Sequence, residues 1–164
     1  MLNRLASAAR MSISRKTFAA EALVLLCLAR IATSVLPFAK LMRWFGATAL
    51  EDAQSTPPEL DPAQTRIALA VRHMIARGVR FLPFDITCLP QAMAGSAMLT
   101  RRSVPARISL GLPKTGGLPA HAWLEAGKIP ITGTATADAY APIARFVGAG
   151  AKGRSLASLH QGRE

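Results

Sequence analysis

Apolar and polar positions recur along this chain with two different rhythms. From Ser14 to about Leu36 the apolar residues follow a helical spacing that must stop before Pro37, and Phe38 to Phe45 reads as a second, shorter helix closed by Gly46. The stretch from Ala47 to Leu60, with Thr56-Pro57-Pro58 inside it, loses all period and reads as a polar connection. A helix opens again at Asp61-Pro62-Ala63-Gln64. There the aspartate can cap, the proline suits the first turn and the glutamine can complete a capping box. Ile67, Val71, Met74 and Ile75 give this helix one apolar stripe, and Gly78 is its expected stop; His73 and the arginines lie mostly off the stripe, so His73 reads as a solvated or capping side chain rather than a ligand.

After Phe81-Leu82-Pro83-Phe84-Asp85-Ile86, Thr87 is a plausible N-cap for a helix beginning at Cys88, with Leu89, Ala92, Met93 and Ala97 on one face. From Val104 to Leu112 the spacing becomes that of a strand, and a Gly-rich loop from Pro113 to Pro119 follows. Ala120 to Ala126 alternates again, and Gly127-Lys128 can turn it back into Ile129-Pro130-Ile131-Thr132-Gly133. Pro130 places that return strand at a sheet edge. Helices first and strands afterwards describe an α+β fold, in which a small antiparallel sheet follows N-terminal helices. The expected organisation is an N-terminal helical segment over residues 1–46, a connection over 47–60, a core over 61–148 and a basic tail over 149–164.

Composition narrows the function. The 164 residues suffice for one domain, and 51% of them are hydrophobic, so the chain folds around a core. The excess of 20 Lys and Arg over 9 Asp and Glu gives a net charge of +11, which attracts acidic partners, nucleic acid or anionic lipid. The basic residues are scattered and the chain has a single tyrosine, which argues against a stacking nucleic-acid surface. Cys27 and Cys88 occupy different settings, suggesting no disulfide framework and a cytoplasmic location. The apolar stretch from Phe18 to Leu36 approaches the length of a membrane span. Glu21 and Arg30 interrupt it, so a buried or partner-facing helix is expected, with a membrane surface as the less favoured contact. No small-residue site closes a short apolar core as a cleaved signal peptide requires.

The chemistry converges on two residues. A cysteine in the first turn of a helix sits at the positive end of the helix dipole, which favours thiolate. His121 lies on a downstream strand with Trp123 on the same face, and papain-like and transglutaminase-like architectures build a thiolate–imidazolium pair from such distant parts. Three acids follow His121, namely Glu125, Asp138 and Glu164. Glu125 lies about 13 Å along the strand, too far for direct contact, which leaves Asp138 as the candidate third member. Counting back from a two-residue turn puts Thr134 opposite His121, and the Thr134 hydroxyl, a backbone carbonyl or water are the alternatives to Asp138. Gln91 can face substrate or simply cap, and Trp123 can wall a cleft or fill the core.

Cys88-Leu-Pro-Gln-Ala, the basic helix end Leu99-Thr-Arg-Arg102, Val104-Pro-Ala-Arg-Ile, Ala120-His-Ala-Trp-Leu-Glu125 and Tyr140-Ala-Pro-Ile-Ala-Arg-Phe146 together resemble the leader peptidase of lasso-peptide biosynthesis, the transglutaminase-like "B protein". The resemblance runs from about Ser14 to Phe146, with the cysteine and His-Ala-Trp elements its specific parts. It implies a transglutaminase-like/papain-like cysteine peptidase core that removes the leader from a ribosomally made precursor for a partner lasso cyclase. The extra N-terminal recognition domain of fused members is not expected here, so the resemblance implies the stand-alone form, served by a separate leader-recognition (RiPP recognition element) protein. The carboxylate expected after the histidine is missing from its place. Neither a phosphate-binding Gly-rich motif nor a metal-ligand cluster is seen, so no cofactor and no metal are expected. A non-catalytic peptide-binding scaffold and an acyltransferase using the same pair are the competing readings.

Overall fold

The computed structural model describes residues 2–37, 40–41, 47–49, 59–117 and 119–148. Helices α1 (Leu2–Val35), α2 (Pro62–Phe81) and α3 (Cys88–Thr100) pack on an antiparallel sheet of β1 (Ala47–Ala49), β2 (Arg107–Pro113), β3 (His121–Ala126), β4 (Ile129–Thr132) and β5 (Tyr140–Gly148). The spatial order is β1-β5-β2-β3-β4, and a 3-10 helix over Thr134–Ala139 joins the last two strands. This is the α+β arrangement read from the sequence.

α2 starts as its first residues dictate. The Asp61 carboxylate accepts the backbone N–H groups of Ala63 and Gln64, and the Gln64 side chain accepts from the Asp61 N–H, a complete capping box. Gln64 also donates to the carbonyl of Ser103 and so ties the start of α2 to the turn after α3. The helix runs three residues past Gly78, to Phe81. Gly78 is not the stop because it is a packing position: a Cβ there would stand 2.7 Å from Leu26 Cδ1 of α1.

α1 begins at Leu2, earlier than the expected Ser14, and ends at Val35 before Pro37. Ala22, Leu26, Ala29 and Ala32 are buried on one side, whereas Val24, Leu28, Ile31 and Val35 are exposed on the other. Residues 16–35 meet the length and composition of a membrane span, but one face of that helix belongs to the protein core. Glu21, out of place in an apolar run, pairs with Arg101 and Arg102 beyond the end of α3. Arg102 also donates to the carbonyl of Met98 and lies 4.0 Å from the centre of the Phe18 ring, so one guanidinium joins α1 to α3.

Of the helix expected over 38–45, Lys40 and Leu41 are described; both are helical and Leu41 is buried. The expected connection over 47–60 contains β1, paired with Phe146–Gly148 of β5; 50–58 lie outside the described residues, as does the tail from 149 onward. α3 differs from its expected single apolar face. Pro90, Ala92, Met93, Ala94, Gly95, Ser96, Met98 and Leu99 are all buried, so the helix is enclosed on nearly every side. Met93, Met98, Leu99, Ile108 and Leu124 are among the largest fully buried side chains, each contributing roughly 1.5–3 kcal/mol by leaving water.

Two features of the sheet bear on the site. β4 lies at its edge, as Pro130 required. Ala126 pairs with Ile129 as the two-residue turn predicted, with Gly127 at φ 54°, but the register slips between Leu124 and Glu125: Glu125 pairs with Pro130 and Leu124 with Thr132. Ile131 is the extra residue. The β-bulge therefore removes Thr134 from the place opposite His121, and the chain turns into the 3-10 helix there.

Candidate active site

Cys88 is the first residue of α3 and half-buried against the core. Thr87 occupies the N-cap position with extended backbone, yet its side chain makes no capping hydrogen bond. Helix geometry leaves the first N–H groups without carbonyl partners inside the helix, and Pro90 contributes none. The N–H groups of Cys88 and Leu89 thus offer donors beside the sulfur, in the positive field of the helix end. Gln91 turns back instead: its amide donates to the carbonyl of Ile86 at 2.6 Å and braces the loop that delivers Cys88.

α3 leads through residues 101–106 into β2, β2 returns along the helix, and β3 runs antiparallel to β2 with His121 opposite Gly111. Gly95 packs on Leu124, where a Cβ would meet Leu124 Cδ2 at 2.6 Å. From that contact Cys88 lies about 10 Å back along the helix and His121 about 10 Å back along the strand. Alternation along β3 turns Ala122 and Leu124 into the core beside α3 and sets His121, Trp123 and Glu125 on the other face; among the described residues no hydrogen bond joins His121 to Cys88.

The His121 ring is held from several directions. Nε2 lies 2.7 Å from the carbonyl oxygen of Gly133 and 3.2 Å from Thr136 Oγ1. A carbonyl oxygen only accepts, so Nε2 carries the hydrogen, and a neutral ring keeps its lone pair on Nδ1. Trp123, almost fully buried, stacks with the ring at 6.1 Å between centroids, and Tyr140 approaches at 4.8 Å with a 32° tilt. Glu125 is occupied elsewhere, 3.4 Å from Arg107.

Asp138 is exposed in the 3-10 helix and is not among the hydrogen-bonding partners of His121. The backbone carbonyl of Gly133 takes the hydrogen bond of the ring instead. Gly133 has φ 70°, and a Cβ at this position would lie 2.6 Å from the Ala122 carbonyl oxygen and 3.1 Å from His121 Nε2. Glycine alone fits there without strain. Gly133, Thr136 and Tyr140 were not picked out by sequence reasoning. Tyr140 lay within the noted Tyr140-to-Phe146 segment, and Gly133 at the close of the return strand was the available signal for the turn.

A sequence profile of the transglutaminase-like superfamily matches residues 32–145, well over half of the chain. The chain belongs to the transglutaminase-like superfamily. Members of this superfamily are typically cysteine-dependent enzymes, with peptidases and acyltransferases among them. No curated protein and no solved structure matches the chain significantly. The matched span of this transglutaminase-like domain starts inside α1, so the end of that helix falls within the family's domain. Among the described residues no group of three His, Cys, Asp or Glu side chains could hold a metal ion.

Proposed function

We propose that this protein is a cysteine peptidase that removes the leader from a ribosomally synthesised lasso-peptide precursor, with Cys88 as nucleophile and His121 as base. What supports the reading is a cysteine in the first turn of α3 and, on β3, an imidazole whose Nε2–H is engaged by Gly133, both inside the span matched by the transglutaminase-like family. The lasso assignment rests on the sequence elements around Cys88, His121 and Tyr140.

Each step follows from those groups. His121 Nδ1 takes the proton of Cys88, and the sulfur attacks the scissile carbonyl carbon. The N–H groups at the start of α3 stabilise the oxyanion that forms. The carbon–nitrogen bond breaks as His121 returns the proton to the leaving amine, which departs as the free amino terminus of the core peptide. Water, deprotonated by His121, then opens the thioester and frees the leader carboxylate. The carbonyl of Gly133 and the hydroxyl of Thr136 keep the ring in place and share the charge of the imidazolium. Substrate reaches the enzyme with a separate leader-recognition protein, and the product passes to a lasso cyclase.

The test is mass spectrometry of precursor incubated with the enzyme and the recognition protein. Hydrolysis adds one water across a single bond, and Cys88→Ala abolishes the product while precursor still associates. Undiminished cleavage by Cys88→Ala refutes the nucleophile, and a product in which the acyl group has moved to an amine identifies a transferase. The pair is tested by alkylation: His121→Ala should slow the reaction of Cys88 with iodoacetamide at least tenfold, and unchanged rates would separate the two residues.

A further inference from the structure

α2 carries a second surface that catalysis does not use. Its buried side is Gln64, Ala68, Val71, Ile75 and Gly78. On the opposite side Arg66, His73, Arg77 and Arg80 follow one another at helical spacing, all exposed. The helix Pro62–Phe81 contains no acidic residue, and none of its arginines takes part in the ion pairs of the described residues, which involve Arg101, Arg102 and Arg107. A surface groove of about 490 Å³ is lined by His73, Ala76, Arg77, Arg80 and Phe81. Phe81 is 74% exposed and Phe84 44% exposed, so two exposed aromatic side chains lie along the chain between the basic stripe and Cys88, followed by the single exposed acid Asp85.

Like charges on one helix face repel one another, and a solvated face usually mixes signs, so an all-basic stripe is costly unless an anion meets it. We infer that this stripe is the docking track for an acidic, extended segment of the polypeptide substrate, with Phe81 and Phe84 receiving apolar side chains between that segment and the scissile bond. The inference rests on the peptidase reading for its direction. From Arg66 to Arg80 the helix rises about 21 Å, the length of roughly six extended residues. The six-residue connection 82–87 then leads to Cys88. Its reach, at most about 3.5 Å per residue, places the acidic block within about eight residues of the cleaved bond. A peptide fits better than nucleic acid, because the stripe holds Phe81 as its one aromatic and has no series of rings on which bases could stack.

The experiment uses the full-length Cys88→Ala protein and fluorescence anisotropy with fluorescein-labelled hexaglutamate. Binding is expected, weakening at least tenfold between 50 and 300 mM NaCl, and hexaglutamine is expected not to bind. The double substitution Arg77→Glu/Arg80→Glu should weaken hexaglutamate at least tenfold. The same charge change at Lys114 and Lys128, exposed elsewhere, should weaken it less than threefold. Arg66→Gln/Arg77→Gln gives an intermediate loss and serves if the charge-reversed protein does not fold. Equal losses from both lysine and arginine pairs, absence of hexaglutamate binding, or tighter binding of labelled oligothymidylate to the same stripe would each overturn the inference. Wild-type enzyme that holds hexaglutamate on this stripe yet cleaves no precursor would remove the peptidase reading and leave the docking surface standing.

Discussion

α3 and the turn after β4 hold Cys88 and His121, the two residues of the candidate site, by different means. Cys88 is placed by a helix enclosed in apolar side chains, so its position is set by packing density over eight buried residues. His121 is placed at the open end of a strand, by one carbonyl, one hydroxyl and two aromatic neighbours. Packing is collective, and a single large side chain damages all of it. Hydrogen bonding at an exposed turn is local, and a change there should move activity further than stability.

Substitutions at the two places test that contrast. Gly95→Leu drives atoms into Leu124, which already stands 2.6 Å from the position of a Cβ, and should cost about 3 kcal/mol in urea unfolding. A loss under about 1 kcal/mol would show α3 to be looser than it looks. Glu21→Ala strands Arg102 beside Phe18 and should cost about 2 kcal/mol, with kcat/KM on precursor unchanged because the pair lies at the far end of α3 from Cys88. Gly133→Val places a branched side chain at φ 70° against His121. It should lower kcat/KM at least tenfold, about 1.4 kcal/mol in barrier, with about 1 kcal/mol lost in stability. Equal damage to stability and activity would erase the distinction. Thr136→Ala removes the longer of the two bonds to Nε2 and should reduce kcat/KM two- to threefold with no change in unfolding midpoint, whereas Asp138→Asn should change neither.

The helices and the β3–β4 hairpin were legible because their signals are local. Asp61 and Gln64 sit three residues apart, Pro37 blocks a helix, and Gly127-Lys128 makes a turn wherever the rest of the chain goes. β1 and β5 escaped because strand pairing between residues about a hundred positions apart leaves no local mark. Gly78 misled because a glycine demanded by a neighbouring helix is spelled the same way as one ending its own. At the candidate site, the helix start that holds Cys88 and the strand that holds His121 were readable from residue type and setting. The partner of the imidazole was not, since a carbonyl belongs to every residue, and the bulge at Ile131 that brings Gly133 into place is invisible in a count of alternating positions.

The same hairpin has a bearing on how copies of this protein meet one another. Proline has no amide hydrogen, so a second molecule approaching the outer side of the short strand Ile129–Thr132 finds its ladder interrupted at Pro130 and bent by the bulge beside it. The rim nearest the histidine is thereby protected from zippering edge to edge into fibres.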